Sequence, residues 1–354
     1  MMHSSQMDFT FKAFSENKVG SQWQQEFDSR WPAYHRWFLR YGERDRPSYF
    51  ESIQALKSHM PELLPVYESM VELAGGGDHA SRFLSHYCPP PLFRGCSQAV
   101  NLKDEPVIVR NYDYSPFVFD GLLMRSHFDK VPVIAMIDCM SGVLDGMNQH
   151  GLAVSMTFGG VEAFGEGFGI TILLRYILEY ASNVREAVEL VKDIPIHGAY
   201  NVTLLDKQAN FTTLMIAPSE VTREIPTAVA TNHQKLGGWP LYEEKVQTKK
   251  RYDFLSKTIE SQTDSADSFV LKFLQPPLYH NQFARGFGTL YTAAYYPGQN
   301  ECRYIWPENE WRFNFDNFEE TEYQLSFIDP EGYPDQTEAY ADIYTKNRMP
   351  GLQF

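Results

Sequence analysis

Between Gly20 and Gly42, "GSQWQQEFDSRWPAYHRWFLRYG" places Trp23, Phe27, Trp31, Tyr34 and Phe38 at steps of three and four. Such spacing puts them on one side of an α-helix and predicts an inward-facing aromatic stripe. "PSYFESIQALKSHM" and "PELLPVYESMVELAGGG" follow with similar texture, the second ending on glycines that suit a helix stop. "CPPPLF" then forces extended backbone. The first 95 residues therefore read as a mostly helical segment.

Beyond Cys96 the period shortens. "EPVIVRNYDY", "VPVIAMID", "LAVSMTF" and "YNVTLLD" are short β-branched runs bounded by Gly, Asp and Asn, the pattern of strands. Between them, "ITILLRYILEYA" and "NVREAVELVKDI" predict amphipathic helices, the second capped by Asn183 with Glu186. A second strand-rich block follows in "TLYTAAYYPG", "CRYIWPEN" and "WRFNFDNF". No repeat or low-complexity linker interrupts the chain. The pattern predicts an α+β core with much antiparallel sheet, preceded by a helical segment.

Composition narrows what such a core can do. At 354 residues with a formal charge of −14, the chain can bury a sizeable core and is unsuited to nucleic acid or anionic membrane as its main partner. The opening "MMHSSQMDFTFKAF" lacks the apolar stretch of a signal peptide, and no run is long enough for a transmembrane span; a cytoplasmic protein is expected. Cys88, Cys96, Cys139 and Cys302 lie far apart without CxxC spacing, so neither a metal site nor a disulfide framework is expected, and no cofactor. The sequons at Asn201 and Asn210 then read as chance matches.

One cysteine stands out by its setting. In "PPPLFRGCSQAVNLKDEPVIVRNYDYS", Cys96 follows Gly95 where the prolines end and strand-like sequence begins. A thiol becomes a strong nucleophile when a base takes its proton. None of the ten histidines sits in a recognisable thiol-protease context. If the chain is cut between Gly95 and Cys96, the new α-amine is itself a base of suitable pKa, near about 8. Glycine before the cysteine suits the strained backbone of an N-to-S acyl shift. Downstream, "VIVRNYDY" delivers Arg110 and Asp113 near a strand end, and "GMNQHGLA" and "TNH" offer Asn148 and Asn232 in turns, where amides can serve a developing oxyanion.

Gly-Cys, R-N-x-D, G-M-N-x-x-G-L-A and T-N-H, in this order, resemble the acyl-CoA:6-aminopenicillanate acyltransferase-like (peptidase C45) family. That family is a thiol branch of the N-terminal nucleophile (Ntn) hydrolases, more distantly related to bile-salt hydrolases and penicillin V acylases. The resemblance spans nearly the whole chain. It implies a four-layer αββα sandwich (residues 96–354) behind a helical prosegment (1–95) that stays associated after self-cleavage at Gly95–Cys96. It also implies Cys96 as nucleophile, Arg110 beside the thiol, Asp113 at the amine, and Asn148 and Asn232 in the oxyanion hole. A later arginine is implied too: Arg251 in "TKKRYDFL" or Arg285 in "FARGFGTLY".

The expected reaction is hydrolysis of a small-molecule amide or acyl thioester with an apolar acyl group, or its transfer to an amine acceptor. Phe117, Phe119, Met140 and Phe158 are candidate lining for the acyl pocket. Two other readings stay open: an uncleaved, non-catalytic Ntn-fold binding or scaffold protein, and a conventional Cys-His hydrolase. His233 reads as a structural histidine, and "GEGFG" (165–169) as a turn feeding a helix, since it lacks the Lys-Ser/Thr of a phosphate loop.

Overall fold

The structure, a computed structural model, describes residues 6–91, 95–234, 238–283 and 286–330. Two sheets form its middle. The larger has nine strands: β1 (Gln6–Glu16), β4 (Leu122–Ser126), β5 (Val133–Asp138), β6 (Gly142–Asn148), β7 (Leu152–Phe158), β8 (Tyr200–Asp206), β9 (Phe211–Ile216), β10 (Arg223–Ile225) and β16 (Thr321–Ile328). Their order is β10-β9-β8-β7-β6-β5-β4-β1-β16. The smaller sheet runs β11 (Val229–Ala230), β2 (Gly95–Asn101), β3 (Val107–Tyr114), β13 (Phe287–Tyr296), β14 (Glu301–Trp306), β15 (Asn309–Asn314), with β12 (Asn281–Gln282) added beside β13. Among the described residues, all strand pairings are antiparallel except β1 with β4.

Helices cover both outer faces. α5 (Ile170–Tyr180) and α6 (Val184–Val191) lie on the larger sheet, with α1 (Ser21–Phe38), α2 (Tyr49–His59), α3 (Leu64–Leu73) and α4 (Asp78–Leu84) on the same side. α7 (Pro240–Lys245), α8 (Thr248–Ser261) and α9 (Ala266–Lys272) cover the smaller sheet. The expected αββα sandwich is therefore the architecture. Strand alternation builds it: Cys96, Val100, Ile108 and Tyr112 join the core between the sheets, whereas Ala99, Val107 and Val109 face Leu255, Phe269 and Phe273. Among the described residues, no helix is long and apolar enough to cross a membrane.

The mostly helical reading of the first 95 residues needs one correction. Residues 6–16 form β1, an inner strand between β4 and β16. The signal lay in "DFTFKAF", where Phe9, Phe11 and Ala13 alternate at the strand period. The N-terminal segment is thus stitched into the main sheet as well as packed on it. Its aromatic stripe forms as the spacing predicts, with Trp23 stacked on Phe27 and Phe27 on Trp31. At α6, the Asn183 side chain accepts from the Glu186 backbone N–H, as its cap position predicts.

Candidate active site

Cys96 is the second residue of β2 and is fully buried. The β2–β3 register sets Gly95 opposite Asp113, Cys96 opposite Tyr112, and Gln98 opposite Arg110. Directly opposed side chains share a face, and successive ones alternate. The Cys96 thiol and Arg110 therefore point between the sheets, while Asp113 points to the outer face, toward α8. The Arg-x-x-Asp pair thus sits on the two faces of one sheet, Arg110 beside the Cys96 thiol and Asp113 opposite Gly95.

On the inner side, Arg110 Nη2 lies 3.3 Å from Cys96 Sγ, and its Nε donates to the Met156 carbonyl at 2.9 Å. Its Nη1 pairs with Asp145 of β6 and bonds the Tyr291 hydroxyl at 3.2 Å. Burial works against the Arg110 charge, but Cys96, Tyr291 and Asp145 together raise its affinity for the proton.

On the outer side, β11 pairs with β2 as far as Ala230 opposite Gln98. Two residues further, the side chain of Asn232 continues the pairing. Its Oδ1 accepts the Cys96 backbone N–H at 3.0 Å and Arg251 Nη2 at 2.7 Å, and its Nδ2 donates to the Phe158 carbonyl at 3.2 Å. Two donors converge on Oδ1, which sets the orientation of the amide. Arg251 of α8 also donates to the Cys96 carbonyl, to Ser97 Oγ at 2.7 Å and to the Val246 carbonyl at 2.9 Å.

Asp113 accepts from Thr289 Oγ1 at 2.7 Å, and its Oδ2 lies 3.9 Å from Arg251. That Oδ2 is buried with no hydrogen-bond partner among the described residues. Burial raises the Asp113 carboxyl to about 6, against the opposing pull of Arg251, Thr289 and Arg110. Because the folded-state value lies above the ordinary 3.8, Asp113 favours the fold fully at acid pH. That contribution is lost as pH rises through about 6.

Gly95 is a glycine for want of space. A Cβ there would lie 2.3 Å from Phe287 Cε2 and 3.4 Å from Asp113 Cβ. The sequence reading credited backbone freedom, but the residue sits in extended β2, where crowding is the constraint.

The predicted residues do not all converge. Cys96, Arg110, Asp113, Asn232 and Arg251 do. Arg285 lies outside the described residues. Asn148 is placed elsewhere: its Nδ2 donates to the carbonyls of Leu178 at 2.9 Å and Ala181 at 2.7 Å, and its Oδ1 accepts from the backbone of His150 and Leu152. The amide that the motif assigns to an oxyanion hole is spent closing the β6–β7 turn against the end of α5. Asn148→Ala is therefore expected to cost about 1–3 kcal/mol of stability through the buried groups it orphans. Denaturant unfolding and turnover measured on one preparation check this. Unchanged stability with lost turnover would return Asn148 to the site.

The candidate acyl-pocket residues also divide. Phe158 belongs to a separate aromatic cluster with Trp239, Tyr242 and Phe287. Phe158 meets Tyr242 edge to face at 5.3 Å, and Tyr242 stacks on Trp239. Phe287 lies over Gly95 and beneath the Arg251 cation. Phe117 packs on the main core instead, Phe119 stacks among Phe9, Phe11 and Tyr291, and the Met140 carbonyl receives the Trp23 indole N–H. His233 Nδ1 contacts Thr231 and Thr248, a structural arrangement.

Sequence reasoning missed Asp145, Tyr291, Trp239 and Tyr242, which carry no local motif. Only the inner-face alternation of β6 and β13 hinted at the first two. Among the described residues, Glu43, Asp78 and His79 have metal-ligand spacing, but they sit at the surface with Arg82 ion-paired to both acids. The 165–169 loop leads into α5 and bridges to Tyr87 through Phe168.

The family model for acyl-coenzyme A:6-aminopenicillanic acid acyl-transferase matches residues 100–311. No curated protein matches the sequence. Among solved structures, the chain is similar to a mutant of conjugated bile acid hydrolase from Clostridium perfringens, with 13% identity over 65% of this chain and 96% of that one, and a TM-score of 0.43. It is similar to penicillin V acylase from Agrobacterium tumefaciens, with 12% identity, 63% and 87% coverage, and a TM-score of 0.46. A Caenorhabditis elegans ortholog of N-acylethanolamine-hydrolyzing acid amidase gives 15% identity, 65% and 99% coverage, and a TM-score of 0.43.

Proposed function

Because the chain belongs to the acyl-coenzyme A:6-aminopenicillanic acid acyl-transferase family, we propose that it is a self-processing thiol enzyme that hydrolyses amides or transfers their acyl groups through Cys96. One observation carries this reading: every polar group of Cys96 meets a dedicated buried partner. Arg110 faces the thiol, Asn232 the nitrogen, and Arg251 the carbonyl. A structural cysteine needs none of these, and burying two arginines around one is costly without a function.

In self-cleavage, Cys96 Sγ adds to the Gly95 carbonyl, the Gly95–Cys96 C–N bond breaks, and its nitrogen takes up the thiol proton. Water then hydrolyses the thioester, leaving a Gly95 carboxylate and a free Cys96 thiol and amine. The open Oδ2 of Asp113, on the residue paired with Gly95, is suited to receive the new ammonium. In turnover the same amine accepts the thiol proton and returns it to the leaving amine, while the acyl group passes to sulfur. Water completes hydrolysis; an amine acceptor completes transfer. The Phe158, Trp239, Tyr242 and Phe287 cluster suits an apolar acyl group. The cut chain stays whole because β1 remains hydrogen-bonded on both sides.

The test is mass spectrometry of bacterially expressed protein, followed by a chromogenic amide panel with and without an amine acceptor. Two co-eluting fragments, the larger beginning at Cys96, and an acyl adduct on the Cys96 peptide are expected. One uncut species without amide turnover would sink the proposal.

Self-cleavage should also lose its rate on acidification through about pH 6, where Asp113 takes up its proton and can no longer balance the emerging ammonium. Precursor made by cell-free synthesis and followed on gels from about pH 5 to about pH 8 checks this. A flat profile would remove Asp113 from the step.

A further inference from the structure

Behind Arg110 lies a polar cluster that the proposed reaction does not use. Asp145 sits on β6, in the larger sheet, facing Arg110 of β3 across the interior of the sandwich. Both are fully buried. Asp145 Oδ2 accepts from Arg110 Nη1 and from the Tyr291 hydroxyl at 2.6 Å, and its Oδ1 accepts from the Tyr295 hydroxyl. Tyr295 and Tyr304 hydroxyls meet at 2.9 Å. The chain of contacts runs from Cys96 Sγ through one guanidinium to one carboxylate held by two phenols.

We propose that Asp145 is a positioning residue that holds Arg110 against the Cys96 sulfur and balances its charge. This rests on the reading of Cys96 as the nucleophile. A buried guanidinium with no counter-ion would bind a thiolate tightly, and a thiolate so stabilised is a poorer nucleophile. With Asp145 ionised, the Arg110–Asp145 pair is close to neutral. Arg110 can then orient the sulfur without fixing it as an anion. Tyr291 and Tyr295 divide the work, since each hydrogen bond to Asp145 weakens its hold on Arg110. Burial holds both phenols well above their ordinary range, so they stay protonated donors.

Other ionisable groups also face the Cys96 region. Tyr112 of β3 lies under the Arg110 cation, Asp113 and Arg251 stand on the outer side, and Tyr242 of α7 completes the ring. The hydrogen bonds of Asp145 go instead to Arg110, Tyr291 and Tyr295, so a change there reaches the thiol through Arg110.

The experiment is a pH titration of thiolate ultraviolet absorbance on processed protein, with the Cys96→Ala precursor as the blank. Asp145→Asn leaves Arg110 unbalanced, and the Cys96 midpoint should fall by about one pH unit or more. Asp145→Glu keeps the charge and should restore the midpoint even where altered reach slows turnover. Should Asp145→Asn fail to fold, Tyr295→Phe is the second variant. It removes one donor from Asp145, tightens the pair with Arg110, and should move the midpoint upward. A midpoint unmoved in a folded Asp145→Asn protein, or unmoved in Tyr295→Phe when Asp145→Asn cannot be made, would overturn the proposal. The readout needs no turnover. Shifted midpoints in a protein that cleaves no amide would therefore sink the enzymatic reading and leave this one standing.

Discussion

Cys96→Ala is expected to yield one full-length chain of 354 residues with no amide turnover, a loss of about a millionfold or more, as when a covalent nucleophile is removed. Cys88 and Cys302 are poorly suited to stand in, because burial raises both thiols above their ordinary range and so disfavours the thiolate. The substitution should be nearly silent for the fold. The side chain removed is small, and Asn232 and Arg251 hold the backbone N–H and carbonyl, which alanine keeps. Cys96→Ser separates the two roles of the sulfur. A hydroxyl is a far weaker acid than a thiol, so slow cleavage and strongly reduced turnover are expected. Intact mass and turnover on both variants decide the matter. A Cys96→Ala chain that is still cut at Gly95, or still turns over amide, would be incompatible with the mechanism.

The second large effect is at Asn232. Asn232→Leu keeps the approximate volume and deletes the oxygen on which Cys96 N–H and Arg251 converge, together with the donor to Phe158. A fall of about a hundred- to a thousandfold in kcat is expected, the usual cost of losing one well-placed polar group beside the reacting carbonyl. Stability should drop as well, because a fully buried Arg251 loses one acceptor. Asn232→Asp distinguishes geometry from charge. It preserves the acceptor for Cys96 and Arg251 and, like Asn232→Leu, gives up the donor to Phe158, but its added anion beside the Cys96 amine makes that amine a firmer ammonium and a slower proton acceptor. Its pH–rate profile should therefore shift to higher pH, where Asn232→Leu should only lower the rate. Equal, pH-independent losses in both would point to simple disruption of packing.

Much of the frame was legible along the chain. The period-two runs at 107–114, 133–138, 152–158 and 200–206 are strands, and "ITILLRYILEYA" is a helix, because alternation and helical spacing are local properties. β1 shows where this fails. Its alternation is present in "DFTFKAF", but a strand without a visible hairpin partner gives no local reason to pair, and its partners lie far along the chain, at 122–126 and 321–328. Asn148 fails differently. A turn asparagine next to Gly151 looks the same in sequence whether its amide caps a helix or faces a thiol, and only the docking of α5 shows that it caps.

By itself, then, the sequence determined the strands and helices with strong local periodicity, the Gly-Cys junction, and the residue types available for thiol chemistry, since all of these follow from neighbours along the chain. Tertiary structure alone decided which of those residues meet. Arg110 and Asp113 lie three apart on one strand, and an odd separation sends them to opposite faces. What waits on each face, Asp145 and Tyr291 inside, Thr289 and Arg251 outside, depends on how two sheets and a helix stack. The same stacking gathers Phe158, Trp239, Tyr242 and Phe287 from three distant stretches into one cluster. Side-chain burial is shared among elements that only the packed core brings together, so no local pattern could have announced it.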